Sequence, residues 1–160
     1  YPLCALHRLF GVGVPRDDGR VFAEFGRSVV SGQDIVLLSD GSKRNSYLSV
    51  DDAVTAILFL LVHGNSGEAY NAANPATFCS ILEMAQMVVE DFGLGKSTVV
   101  FGQDAERAKT FRPGAVLDLD CSKLMNLGWQ PSHTLHEMYS AMFAGWQSMN
   151  DAFKDDKPTC

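Results

Sequence analysis

Residues able to do chemistry are scattered along this chain, and most familiar constellations break off after a few positions. Gly95-Lys96-Ser97 has the ending of a phosphate-binding loop, but the motif needs a glycine at position 90, which is Glu90. The segment also follows a helical pattern and precedes an extended one, the reverse of what that loop requires. It fits a helix terminus instead, with Gly93 as a left-handed cap and Lys96 near the carbonyl end. Gly11-Val12-Gly13 opens like a dinucleotide fingerprint, but the third glycine would fall at Arg16. Hydride chemistry commonly uses a Tyr and a Lys four residues apart; here Tyr1, Tyr47, Tyr70 and Tyr139 are followed by Ala5, Asp51, Asn74 and Phe143. His133 and His136 flank Thr134 without the further ligands a zinc ion needs, and read as surface histidines at a helix start. No Gly-x-Ser-x-Gly elbow presents a nucleophilic serine.

The bulk properties narrow the class. A chain of 160 residues, 46% hydrophobic, is long enough for one core. A net charge of −6 argues against a nucleic-acid partner, which calls for excess Lys and Arg. No apolar run reaches membrane length, so no membrane partner is expected. Cys4, Cys79, Cys121 and Cys160 form no C-x-x-C pair and are expected to stay reduced. The chain opens at Tyr1-Pro2 without Met and reads as cut from something longer.

The elements that must position any site follow from periodicity. Leu3 to Phe10 reads as a strand broken by Gly11, Gly13 and Pro15. Asp17 and Asp18 suit a helix start, and Val21, Phe22, Phe25 and Val29 recur at helical spacing until Gly32. Ile35 to Leu38 and Tyr47 to Val50 are short strands around the Asp40-Gly41 turn. Asp51 or Asp52 caps a helix to about His63 whose sequence leaves little polar face, so it is buried or meets a partner. Glu68 to Ala72 is a strand candidate. Ser80-Ile81-Leu82-Glu83 and Thr134-Leu135-His136-Glu137 are capping boxes that open two more helices. Thr98 to Phe101 is extended, 102 to 114 a polar loop, and Asp120 caps a short helix through Leu127. This mixture is α/β or α+β. Residues 1–150 are expected to form the ordered region and 151–160 a polar tail.

Taken in order, several segments resemble the NAD-dependent epimerase/dehydratase family, the extended short-chain dehydrogenase/reductases acting on nucleoside-diphosphate sugars. Phe10-Gly11 looks like the family's Tyr-Gly-Pro turn, and Asp18-Gly19-Arg20-Val21 like the helix start that follows. Ile35-Val36-Leu37, Asp40-Gly41-Ser42 and Val50-Asp51-Asp52 follow its hydrophobic, Gly-Asp-Gly, Arg, Tyr-Val-x-Asp pattern. Gly67-Glu68-Ala69-Tyr70-Asn71 resembles its Tyr-Asn strand, and Leu127-Gly128-Trp129 with Pro131 its closing signature. The likeness runs from about residue 3 to 147.

The resemblance implies the substrate-binding portion of an extended Rossmann-type fold, lacking the N-terminal NAD-binding βαβ units. It implies a cytoplasmic, homodimeric parent enzyme that oxidises a sugar nucleotide at C4 with NAD, then epimerises, dehydrates or decarboxylates it. No catalytic residue would lie in this chain, which alone would bind weakly and turn nothing over. The alternative is a non-catalytic binding or interaction module derived from that family. A diphosphate calls for guanidinium forks, and the resemblance points to Arg20, Arg44 and Arg112 for them. It points to Val21, Ile35 and Leu37 for the nucleoside. The family's Arg aligns with Asn45, while Arg44 comes one residue early, on the opposite side of a strand unless a bulge restores it. Val12 stands for the usual Pro, Arg8 where the family often has Asn, and Ala115 where Asp often follows. Taken singly, Arg20 could equally pair with Asp17 or Glu24 on a wet surface.

Overall fold

The computed structural model describes residues 1–102 and 116–152. In chain order its elements are β1 (Leu3–Leu6), β2 (Leu9–Phe10), α1 (Val21–Val30), β3 (Ile35–Leu37), β4 (Arg44–Ser49), α2 (Val50–His63), β5 (Ala69–Ala72), β6 (Asn74–Ser80), α3 (Ile81–Phe92), β7 (Val99–Phe101), β8 (Val116–Leu117), α4 (Ser122–Asn126) and α5 (Leu135–Ala152). The strands pair mostly in parallel. β1 lies beside β5, β3 beside β7, and β4 is flanked by parallel β2 and β8 and by antiparallel β6. This is a mixed α/β fold.

Two cores hold it together. The larger packs Phe22, Phe25 and Val29 of α1 with Met84 and Val88 of α3 and Met138, Tyr139, Met142 and Trp146 of α5, over Phe10, Ile35, Leu37 and Tyr47. The apolar spacing of all three helices supplies these faces, and their burial is the main stabilising contribution. The approach of α1 to α5 is tight at Gly26, where an added Cβ would lie 2.8 Å from the Met142 Cε. The second core gathers Ala53, Ala56 and Leu60 of α2, Tyr70 and Ala72 of β5, Leu124 and Trp129.

Several boundaries depart from the sequence pattern, each for a local reason. The first strand is two, because the chain turns at Arg8 (φ 42°) before β2 joins β4. β4 begins at Arg44, and β6 runs through the polar Asn74–Ser80, which pairs with it. Ser49 caps α2, its side chain accepting from the Asp52 amide, so neither aspartate is the cap. Arg20 is the N-cap residue of α1 without a side-chain bond, and Asp18 accepts from the Arg20 amide instead. Gly93 is right-handed (φ −74°), the left-handed positions after α3 being Leu94 and Gly95. Both capping boxes form: Ser80 with Glu83, and Thr134 with Glu137. α5 continues past residue 150 to Ala152.

Candidate functional site

β2 is the hub of the region that carries the expected site. The side chain of Arg20, at the N-terminus of α1, reaches back so that Nη1 donates to the Leu9 carbonyl (3.2 Å) and the guanidinium lies 4.7 Å from the Phe22 ring. Phe22 stacks on Phe10 (4.5 Å), and Phe10 meets Tyr47 of β4 edge-on (5.7 Å). Arg20 and the middle of β4 thus sit on either side of one aromatic cluster.

The arginines are not equally available. Arg20 grips Asp18 through Nε (3.0 Å to both oxygens) and Nη2 (2.6 Å). Its hydrogen bonds hold the Asp18 carboxyl below its ordinary range, and Asp18 in turn raises Arg20. The partner is therefore Asp18, two residues back, rather than Asp17 or Glu24. Arg44 bonds Glu83 (3.1 and 3.3 Å) and lies 5.0 Å from the Phe78 ring. The β4–β6 register does shift, but between Asn45 and Tyr47, and Arg44 keeps facing Glu83. Asn45 is 1% exposed, and its Oδ1 has no hydrogen-bond partner. Arg112 lies outside the described residues; the chain re-enters at Val116, in register with Arg44.

The expected nucleoside walls face inward. Ile35 and Leu37 are buried in the larger core, while Val36 between them is exposed. Contact there with a base would have to come from Val36 or the backbone. Val21 is half-buried against the same core.

Sequence reasoning missed one polar network. Asp52 is 1% exposed, and its carboxylate accepts from the Ser132 amide (3.1 Å), the Ser132 hydroxyl (2.9 Å) and the His133 amide (3.1 Å). His133 Nδ1 lies 3.0 Å from Asp52 Oδ1, 3.1 Å from Ser49 Oγ and 3.2 Å from Ser132 Oγ. Burial opposes charge on Asp52, but these bonds outweigh it and lower its pKa; the bond to Asp52 raises that of His133. The residue types match a hydrolytic triad, but the geometry does not. Both serines and the Asp52 carboxylate address the same imidazole nitrogen, and the carboxylate across the ring, Asp51, lies 3.9 Å from Nε2, beyond hydrogen-bond distance, so no serine–histidine–aspartate relay is formed. The network ties α2 to the segment before α5. His133 is therefore a tether and not a free surface histidine. His136 binds Asp91 (2.7 Å) and stacks on Phe92.

Among the described residues no group of His, Cys, Asp and Glu could hold a metal ion, and no helix is long and apolar enough to cross a membrane. Cys4, Cys79 and Cys121 are free thiols. A dinucleotide does not fit the Gly11–Gly13 turn: α1 starts only at Val21, and Arg16 stands where the third glycine belongs. A recess of about 370 Å³ is lined by Pro75, Leu119, Cys121, Ser122 and Met125 with Asp118 and Asp120, whose charges oppose a diphosphate; neither Arg20 nor Arg44 lines it.

The fold is that of extended Rossmann-type short-chain dehydrogenases. A UDP-glucose 4-epimerase from Thermotoga maritima, solved with UDP-glucose, superposes over 94% of this chain and 47% of its own, with TM-score 0.76 and 21% identity. A dTDP-glucose 4,6-dehydratase from Bacillus anthracis, in complex with NAD, superposes over 98% of this chain and 47% of its own, with TM-score 0.71 and 18% identity. In sequence, residues 4–73 match the NAD dependent epimerase/dehydratase family. A UDP-glucuronic acid decarboxylase 1 of Arabidopsis thaliana is 26% identical over 88% of this chain and 32% of its own length. A dTDP-glucose 4,6-dehydratase of Streptomyces niveus is 30% identical over 67% of this chain and 30% of its own. The match to the NAD dependent epimerase/dehydratase family thus covers residues 4–73, and the chain spans about a third of these curated relatives and about half of the solved ones.

Proposed function

We propose that residues 1–150 are the C-terminal, sugar-nucleotide-binding region of an NAD-dependent nucleotide-sugar epimerase, dehydratase or decarboxylase, with the residues from 151 on a tail. The observation that carries this reading is the coverage: nearly the whole chain superposes on about half of an enzyme solved with UDP-glucose. In this reading NAD and the proton relay belong to chain outside this one, a homodimeric cytoplasmic parent does the chemistry, and this region alone is inactive. The ligand is a nucleoside-diphosphate sugar. Arg20, Arg44 and Arg112 face its diphosphate, with Asn45 beside them, and the backbone around Val21 and Ile35 to Leu37 lies along the nucleoside. Binding through Arg20 or Arg44 requires the phosphate oxygens to compete with Asp18 or Glu83.

Titration of the chain with UDP-, dTDP- and CDP-sugars, followed by NMR, tests the reading. Arg20→Ala or Arg112→Ala should each weaken binding by roughly 1–3 kcal/mol, the scale of a lost charged hydrogen bond. Unchanged affinity in both removes these residues from the site.

A second reading, a non-catalytic interaction module, draws on α2. Leu58, Leu61 and Val62 are 57%, 64% and 76% exposed, an apolar row suited to a protein surface. Turnover by the full-length parent would exclude it.

A further inference from the structure

The side-chain contacts of Arg20 fall into two sets. One set holds the side chain in place: Nη1 donates to the Leu9 carbonyl (3.2 Å), and the guanidinium lies 4.7 Å from the Phe22 ring. The other set goes to Asp18, which receives Nε at 3.0 Å on both oxygens and Nη2 at 2.6 Å. A guanidinium grips phosphate with the same fork. The Arg20 side chain is 54% exposed and that of Asp18 only 13%, so a ligand arriving from solvent meets the fork before the carboxylate.

Asp18 is presented by contacts that do not depend on that fork. Its amide donates to the Pro15 carbonyl (3.1 Å), its carbonyl accepts from Arg27 Nη1 (2.6 Å), and Oδ1 accepts from the Arg20 amide (2.8 Å). The residue therefore keeps its place whether or not the guanidinium stays on it. Its carboxyl titrates below the ordinary range, chiefly through the side-chain hydrogen bond with Arg20, and is an anion at neutral pH.

The Arg44–Glu83 pair is built differently. Glu83 also accepts from the Ser80 amide (2.7 Å) in the capping box of α3, and its bond to Arg44 ties β4 to a helix 39 residues away. Opening that pair loosens a tertiary contact. The Asp18–Arg20 bond spans two residues and joins no distant parts of the fold, so its stabilising share is that of a local surface pair.

We propose that Asp18 is a built-in competitor for the ligand's phosphate: its carboxylate occupies the Arg20 fork in the free protein, and binding of a nucleoside-diphosphate sugar exchanges that carboxylate for phosphate oxygens. The inference rests on the functional reading proposed above and names the group that regulates its site. Leu9 and Phe22 position the guanidinium without help from Asp18, so removing the carboxylate's charge releases donors without loosening the arginine. Asp18 stays behind on the Arg20 amide, ready to take the fork back when the ligand leaves.

The test is a double-mutant cycle read by calorimetry with UDP-glucose: wild type, Asp18→Asn, Arg20→Ala and the pair. Asparagine retains an Oδ1 for the Arg20 amide, and a thermal melt checks folding. The expected result is a Kd lowered about two- to fivefold in D18N, the range of an exposed ion pair, with the gain absent in the Arg20→Ala background. An affinity unchanged or weakened in folded D18N overturns the inference. So does an equal gain in both backgrounds, which marks a general loss of negative charge; either result leaves the functional reading standing. The same cycle with inorganic pyrophosphate separates the two: the expected pattern with pyrophosphate, but no saturable UDP-glucose binding, keeps the exchange and overturns the functional reading. Saturable binding of neither overturns both. Should D18N fail to fold, the Arg20 Nε–Hε resonance of the wild type decides: a saturable shift with pyrophosphate supports the exchange, and an unmoved signal refutes it.

Discussion

Replacing Asp52 by alanine should reveal how much of the fold depends on one buried carboxylate. Asp52 is 1% exposed and receives three hydrogen bonds from Ser132 and His133, besides its approach to His133 Nδ1 at 3.0 Å. Its removal leaves those donors without an acceptor and releases the segment before α5 from α2. Ser132 is exposed and the His133 side chain 35% exposed, so water partly replaces the lost acceptor and the cost is about 1.5–3 kcal/mol, the scale of hydrogen bonds to a charged group. For a chain of this size that lowers Tm by roughly 3–12 °C. The pH dependence has a definite sign. Asp52 titrates below its ordinary 3.8, so its stabilisation is present above that value and is lost as pH falls through the lower folded value. His133 titrates above its ordinary 6.5, so its share is complete below 6.5 and is lost as pH rises through the higher folded value. The difference between wild type and Asp52→Ala should therefore be largest between about pH 4 and 6.5 and shrink on both sides. Urea denaturation at several pH values measures it. A cost below about 1 kcal/mol, or one that does not change from pH 5 to 8, would refute the reasoning that His133 and Asp52 form a charged tether.

Two further outcomes rest on packing. Gly41 turns the chain at φ 70°, and an added Cβ would lie 2.8 Å from the Leu82 Cβ and 3.1 Å from its amide nitrogen; Gly41→Ala should cost about 1–3 kcal/mol in the same denaturation assay. Leu58→Lys with Val62→Lys should leave stability within about 1 kcal/mol and reduce concentration-dependent association in sedimentation velocity. Unfolding of that pair would mean that the α2 row is not a surface.

Much of this architecture is legible in the sequence because it depends on local rules. The capping boxes at Ser80 and Thr134, the inward stripes of α1, α3 and α5, and the β-branched run at Ile35 each announce themselves over a few residues. What escapes is set by distant partners. Asn74–Ser80 lacks apolar alternation and becomes a strand only by pairing with β4. Arg8 interrupts the first strand without glycine or proline because β2 must reach β4. Asp52 looks like a helix cap from its neighbours, but its donors lie 80 residues away. The same limit governs the candidate site. Arg20 is recognisable from its place before α1, whereas its neutralisation by Asp18 is a three-dimensional fact. Ile35 and Leu37 have the right chemistry for an apolar wall, yet β3 turns both of them into the core and leaves Val36 outward.

The central claim, that this chain carries a nucleotide-sugar site where β2, β4 and the start of α1 meet, is tested most directly by mapping amide shifts on the 160-residue chain during a UDP-glucose titration. Saturable shifts should concentrate at residues 8–10, 20–22 and 45–47. Shifts confined to the acidic recess around Asp118–Met125, or a spectrum unchanged at millimolar ligand, would contradict it.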